Sequence, residues 1–194
     1  MPSVYREGLM VTLASLWLPI LVSAILAFAA SFVIHMVLKY HRNDWQRVPN
    51  EDAAMDAVRP LNLTPGDYHF PHGSPETMRD PAFLDKMKRG PVVVMTVFPP
   101  GPVQMGTRLT WWFVYCVVVS LFAGYVASRV LAPGTPYMDV FQITSTVAFV
   151  GYALGNWPNT IWYNRAWQTN VKNTIDGLVY GLLTGGAFGW LWPT

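Results

Sequence analysis

Four long apolar stretches constrain the fold of this chain more than any other feature. They run from Leu9 to Leu38, Leu109 to Ser128, Val140 to Trp157 and Gly177 to Trp192. A helix needs about 20 mainly apolar residues to cross a bilayer, and the last two stretches are near the lower limit. Hydrophobic residues make up 52% of the chain and charged residues only 12%, well below the charged share of a soluble domain. We therefore expect an all-α membrane protein with four transmembrane helices, at 9–38, 109–128, 140–157 and 177–192.

The first apolar stretch also has a feature of secretory signal peptides. Ala27-Phe28-Ala29 has the small-residue spacing of a cleavage site. However, the apolar run continues to Leu38, and Arg6 stands beside Glu7 where a signal peptide is clearly basic. We expect a retained transmembrane helix.

The segment between the first two stretches, residues 39–108, predicts a small α+β unit. Asn50 followed by acidic residues predicts a short helix from Glu51 to about Arg59, and proline at its first position predicts a second helix over Pro81–Arg89. The β-branched run Val92–Phe98 predicts a strand, with Asp67–Phe70 as its natural partner.

Lysine and arginine predict the orientation in the membrane. Of the 13 such residues, all except Arg6 and Arg129 lie in segment 39–108 or between the third and fourth stretches. Positive residues favour the cytoplasmic side, so we expect a cytoplasmic loop, both termini outside the cytoplasm, and a multi-pass location in a bacterial inner membrane. Asp139 and Asp176 precede the last two stretches. A carboxylate near the N-terminal end of a helix stabilises the helix, so we expect both residues at helix N-termini.

Glycines recur at every fourth position of the last stretch. This glycine ladder comprises Gly177, Gly181, Gly185 and Gly189, and the third stretch adds Gly151 and Gly155. Small residues let helix backbones approach closely in lipid. The pattern predicts a helix-packing surface, which could lie against another helix of this chain or against a partner.

His35 is the only histidine within an apolar stretch. A histidine at membrane depth is costly unless it has a partner or a purpose. It could ligate a haem iron or the magnesium of a chlorophyll-type pigment, donate to a quinone carbonyl, or contact a bound lipid. The alternative is a histidine near the headgroups without a cofactor, because the stretch ends at Leu38.

His69 and His72 form a second candidate site, in the loop. With Asp67 and Glu76 nearby, these histidines could bind zinc or another divalent metal. Pro71 between them opposes a helical ligand pair, so ordinary hydrogen-bonding loop histidines are the alternative.

Several functions find no support in the sequence. The chain has no His-Glu-x-x-His zinc motif, phosphate-binding loop or Gly-x-Ser-x-Gly nucleophile motif. The loop's basic residues are nearly balanced by acidic ones, which argues against nucleic-acid binding. We expect a non-catalytic subunit of a larger membrane complex that contacts the bilayer and a membrane-protein partner or a second copy of itself. A cofactor- or lipid-binding protein that uses His35 is the alternative.

The order of the motifs resembles small bacterial inner-membrane proteins. One helix is followed by a loop with Phe70-Pro71-His72 and Lys88-Arg89-Gly90-Pro91-Val92, and then by three helices ending in Gly189-Trp190-Leu191-Trp192-Pro193. The resemblance covers the whole chain and implies neither a function nor a site residue.

Overall fold

The computed structural model describes residues 11–194, and the protein is mostly helical (68%). Seven α-helices and two strands are found in the described part: α1 Trp17–Phe32, α2 Glu51–Val58, β1 Gly66–Phe70, α3 Pro81–Arg89, β2 Val93–Val97, α4 Met105–Val130, α5 Tyr137–Tyr152, α6 Trp157–Tyr163 and α7 Trp167–Trp190. The chain divides into two compact units. One contains the segment up to Trp45 together with Gln104–Thr194, and the other is Gln46–Val103.

Two helices of the described residues are long and apolar enough to cross a membrane. The first, Leu13–Leu38, joins a 3₁₀ turn, α1 and a π-helical turn, Val33–Leu38, and the second is α4. Each has 26 residues, which at 1.5 Å per residue spans about 39 Å. Leu9 and Met10 of the predicted first span lie outside the described residues.

The third and fourth predicted spans differ from the helices observed. α5 ends at Tyr152 and is followed by a 3₁₀ turn, Leu154–Asn156, and by α6. α7 begins at Trp167, well before the predicted start at Gly177. Its first turns hold polar residues, which the apolar pattern alone could not assign to the same helix.

The helical unit packs through small and apolar residues. The Ser23 and Ser120 hydroxyl oxygens lie 2.9 Å apart, joining α1 to α4, and alanines line both helices where they are buried. Phe188 of α7 is fully buried in a cluster with Leu16, Ile20 and Val140. Close helix packing of this kind is what small residues allow in a membrane.

The second unit is a two-stranded antiparallel sheet with two short helices. β1 pairs with β2 from Gly66 opposite Val97 to Phe70 opposite Val93. The Asn50 side chain accepts a hydrogen bond from the Ala53 backbone N–H at the start of α2, at 3.2 Å. The predicted helices, strand and strand partner of this α+β segment are confirmed.

Candidate functional site

The C-terminal end of the Leu13–Leu38 helix turns sharply back toward α7. His35 lies in the π-helical turn, a widened geometry that is frequent at functional sites. Lys39 ends the turn in the left-handed conformation, with φ of 56°, which is uncommon for a residue with a side chain. This reversal places Tyr40 and His41 against α7.

Five side chains form a polar cluster at this turn, which we call the His41 cluster: Tyr40, His41, Asp44, Lys172 and Asp176. The His41 ring nitrogens each face a carboxylate oxygen, with Nδ1 2.6 Å from Asp44 Oδ2 and Nε2 2.8 Å from Asp176 Oδ2. The Tyr40 hydroxyl donates to the other oxygen of Asp176. An imidazole that donates to both carboxylates carries a proton on both nitrogens.

Lys172 completes the His41 cluster. Its ammonium donates to Asp44 Oδ1 at 2.6 Å and to the Tyr40 backbone carbonyl at 2.9 Å. Burial opposes ionisation of Asp44, but hydrogen bonds from Lys172 and His41 and their charges outweigh it, so the pKa of this carboxyl lies below its ordinary value. Lys172 and the His41 ring therefore both contact Asp44, and the His41 ring also contacts Asp176.

The His41 cluster is largely shielded from solvent. The exposed fractions of the side chains are 11% for His41, 7% for Asp44 and 4% for Asp176. Buried charges persist only when they are paired and hydrogen-bonded. The cluster therefore fixes the turn after the Leu13–Leu38 helix to α7.

Asp176 does not lie at a helix N-terminus, as its position before the fourth apolar stretch suggested. It lies in the interior of α7, Trp167–Trp190, and its carboxylate faces Tyr40 and His41. The prediction of a capping carboxylate is wrong here because α7 extends N-terminal to the apolar run.

His35 lies beside the His41 cluster. Its ring stacks on the His41 ring, with centroids 4.6 Å apart and an interplanar angle of 7°. Its Nδ1 lies 3.0 Å from the Ser31 backbone carbonyl oxygen, to which it can donate. One potential ligand atom from each of His35, His41 and Asp176 lies within 4.8 Å of the other two.

A polar cavity of about 550 Å³ opens next to His35 and His41. Its lining is rich in amides and hydroxyls from α6 and α7. Thr160 and Asn170 are 2% and 3% exposed, and their Oγ1 and Nδ2 atoms have no hydrogen-bond partner within residues 11–194. Arg165 also lines it, with its guanidinium carbon 5.5 Å from the centroid of the Trp45 ring.

His35 also lines an apolar cavity of about 620 Å³. Aromatic and aliphatic side chains dominate its lining, including Phe28, Phe32, Met36, Leu109, Trp112, Tyr115 and Tyr152. The Trp112 indole N–H is buried and unpartnered within the described chain. The two cavities share His35, Asn156 and Asn173 in their walls.

The glycine ladder of α7 packs against α5 and the residue that follows it. An added Cβ would lie 2.8 Å from Ala153 Cβ at Gly177, 3.0 Å from the Ser145 carbonyl oxygen at Gly181, 2.7 Å from Ser145 Cβ at Gly185, and 2.7 Å from the Tyr137 ring at Gly189. These distances are shorter than side-chain atoms tolerate without movement. The ladder is therefore covered by this chain's own helix.

The two glycines of the third predicted span differ from each other. A Cβ at Gly151 would lie 3.1 Å from a Val119 methyl of α4, whereas one at Gly155 would contact nothing within 4 Å. Gly151 thus lies at a close helix contact. Gly155 lies in the 3₁₀ turn that follows α5.

The loop histidines lie in the second unit. His69 is in β1 opposite Val94, and His72 lines a cavity of about 470 Å³ with Phe83 and Arg89. Neither belongs to a group of three potential metal ligands in the part of the chain that the structure describes. The nearby Asp67 carboxylate instead accepts a hydrogen bond from Thr96 Oγ1 at 2.6 Å.

His35 was identified from the sequence, but most residues around it were not. His41, Asp44 and Lys172 lie outside the apolar stretches and form no recognised motif in the sequence. A sequence signal exists: histidines and a carboxylate follow one another closely after an apolar helix, at His35, His41 and Asp44. Only the fold shows that Asp176 joins them.

No protein-family model, curated protein or solved structure matches this chain. Arguments about its function therefore depend on the geometry of the two cavities and the His41 cluster.

Proposed function

We propose that this chain is an integral membrane protein that binds an amphipathic lipid-like molecule beside His35. The molecule would have a polar head that accepts and donates hydrogen bonds and an apolar chain, as phospholipids and isoprenoid quinones do. The observation that carries this proposal is the pair of cavities, one polar and one apolar, that share His35, Asn156 and Asn173.

The polar cavity suits the head of such a molecule. An unpartnered buried donor or acceptor costs about 1–3 kcal/mol, and this cavity has two, at Thr160 and Asn170. A head with hydroxyl, carbonyl or phosphate oxygens would satisfy the Asn170 amide and the Thr160 hydroxyl. The exposed Arg165 guanidinium lines the same cavity and would favour a head with negative charge.

The apolar cavity suits the chain. Its volume of about 620 Å³ falls in the range of small-molecule sites, roughly 300–1,000 Å³. Phe32, Met36 and Met105 line it and are 61%, 61% and 58% exposed. Because Leu13–Leu38 and α4 are the two candidate membrane helices, an acyl or isoprenoid chain could enter from the bilayer.

We also propose that α5 and α7 complete a four-helix membrane bundle. Exposed apolar residues on both, such as Val150, Leu178 and Leu182, suit contact with lipid. The distribution of lysine and arginine supports a cytoplasmic loop, both termini outside the cytoplasm, and a location in a bacterial inner membrane.

That this chain is a subunit of a larger complex stays a prediction. The glycine ladder suggested it, but those glycines face α5. Co-purification of a second protein in mild detergent would support it, and a monomer without one would oppose it.

The test of the binding proposal is lipid analysis of the full-length protein purified from native membranes. Native mass spectrometry should show one retained lipid-like molecule per chain, and analysis of the extract distinguishes a phospholipid from a quinone. Thr160→Val should reduce retention about tenfold, because it removes one hydrogen bond to the head, while leaving the thermal midpoint of the delipidated protein unchanged.

Thr184→Val is the matched control. Thr184 is also a buried threonine, but its hydroxyl donates to the Tyr180 carbonyl at 2.9 Å and lines neither cavity. It should retain the ligand. Equal retention by wild type and Thr160→Val would contradict the proposal, and so would a Soret or chlorin absorbance band from the purified protein.

A further inference from the structure

We propose that His35, His41 and Asp176 bind a divalent transition-metal ion at the boundary between the two cavities. One ring nitrogen of each histidine and one carboxylate oxygen lie within 4.8 Å of one another. No other three His, Cys, Asp or Glu side chains come together in this way within residues 11–194. Two imidazoles and a carboxylate with open positions are typical of Zn²⁺ or Fe²⁺ sites, whereas Mg²⁺ and Ca²⁺ prefer oxygen ligands.

In both histidines one ring nitrogen already has the hydrogen-bond partner that supports a metal ligand. Metal-bound histidines almost always donate their second ring N–H to a carbonyl or carboxylate. Here His35 Nδ1 faces the Ser31 carbonyl oxygen at 3.0 Å, and His41 Nδ1 faces Asp44 Oδ2 at 2.6 Å. In each ring this leaves Nε2 for the ion.

The two carboxylates, Asp176 and Asp44, also have hydrogen-bond partners that hold them in place. Asp176 Oδ1 accepts a hydrogen bond from the Tyr40 hydroxyl, which leaves Oδ2 toward His41. Asp44, the partner of His41 Nδ1, is itself fixed by Lys172 at 2.6 Å. Such outer contacts set the direction and basicity of the ligand they support.

Rotation of the His35 ring would complete the site, because this ring now lies parallel to the His41 ring, at an interplanar angle of 7°. Bonds of about 2.0–2.2 Å to the ion require ligand atoms roughly 3.3 Å apart. His41 Nε2 and Asp176 Oδ2 are already 2.8 Å apart, and the ion would replace the proton between them. His35 is exposed, so its ring can turn toward the ion.

This proposal does not rest on the amphipathic ligand, because all three metal ligands belong to the protein. The test uses full-length protein, delipidated and treated with EDTA, and titrated with Co²⁺. Visible d–d bands should appear and saturate at one Co²⁺ per chain, and Zn²⁺ should remove them. Their absence in wild-type protein would overturn the proposal.

His35→Ala is the decisive variant. His35 makes none of the hydrogen bonds between His41, Asp44 and Asp176, so the variant should keep its circular dichroism spectrum. Its Co²⁺ affinity should fall at least tenfold, the size of effect that even outer-shell changes produce. An unchanged affinity would overturn the proposed ligand set.

His72→Ala is the matched control. His72 is an exposed histidine of the second unit and belongs to no such group, so Co²⁺ affinity should stay at the wild-type value. Thr160→Val should also leave Co²⁺ binding intact, which separates failure of this proposal from failure of the lipid proposal. Loss of Co²⁺ binding in His72→Ala would place the metal in the loop and overturn the site at His35.

Discussion

The two halves of α7 differ in their surroundings: one is closely packed and the other borders a polar cavity. In the glycine half, residues 177–190, the ladder glycines touch α5 so closely that a single methyl group would meet backbone or side-chain atoms at about 3 Å. In the polar half, residues 167–176, Asn170 lines a cavity and its side-chain amide nitrogen has no partner within the described residues. Lys172 and Asp176 contact Asp44 and His41 in the turn after the Leu13–Leu38 helix. Close contact without space indicates a structural role. Space lined by unsatisfied polar atoms indicates a ligand.

This comparison changes which residues are the functional candidates. The glycine ladder is the more regular pattern in the sequence, yet its contacts are within the chain. His35 stands at the wall of both cavities and beside the His41 cluster. A regular small-residue pattern therefore shows where helices pack, and not by itself where a partner binds.

The largest effect is expected in the polar half, for Asp176→Ala. The change removes the acceptor of both the His41 ring and the Tyr40 hydroxyl. Removing one partner of a buried charge pair costs about 3–5 kcal/mol, and we expect the lower end, about 3 kcal/mol, because the His41 ring keeps Asp44 as a partner. Equilibrium unfolding in mixed detergent micelles measures this free energy.

Asp139→Ala is the control for that measurement. Asp139 is exposed in the first turn of α5, where a carboxylate contributes at most about 1 kcal/mol. If Asp176→Ala and Asp139→Ala lowered the free energy of unfolding by the same small amount, the His41 cluster would not hold the Leu13–Leu38 helix to α7.

The same residues show how far sequence reasoning reaches. Apolar length and composition predicted two helices that are long and apolar enough to cross a membrane. Cap and turn residues predicted the local elements of residues 39–108. The start of α7 at Trp167 does not follow from its apolar run. Lys172 and Asp176 lie within the helix and pair with Tyr40, His41 and Asp44. Such pairings join residues more than 120 positions apart, and no local pattern encodes them.

The next largest effect is expected in the glycine half, for Gly185→Ala. The added methyl would lie 2.7 Å from Ser145 Cβ and 2.9 Å from the Phe141 carbonyl oxygen. Because the backbone must move, we expect a loss of about 1–3 kcal/mol in the free energy of unfolding. Retention of the amphipathic ligand by the protein that remains folded should not change.

Gly186→Ala is the matched control, one position along the same helix. Its Cβ would meet only the Tyr137 hydroxyl, at 3.8 Å, so the higher helix propensity of alanine should stabilise the protein by up to about 1 kcal/mol. Equal destabilisation of both variants would mean that the glycine ladder does not pack on α5.

The smallest effect is expected at the turn that covers the polar half, for Lys39→Gly. Lys39 has a left-handed backbone with φ of 56°, which costs a residue with a side chain roughly 1–2 kcal/mol relative to glycine. The greater flexibility of unfolded glycine offsets part of this gain. The thermal midpoint should therefore rise slightly, and a marked fall would show that the Lys39 side chain makes a stabilising contact.

The central claim, that an amphipathic molecule occupies the paired cavities, is tested most directly by photocrosslinking. The full-length protein in native-lipid nanodiscs is labelled with a phospholipid that has a diazirine in its acyl chain, and the adducts are located by peptide mass spectrometry. Adducts should concentrate on Phe28, Trp112 and Tyr115 of the apolar cavity and decrease in Thr160→Val. Adducts spread equally over outward-facing residues such as Phe122, Leu178 and Leu182, and unchanged in Thr160→Val, would contradict the account.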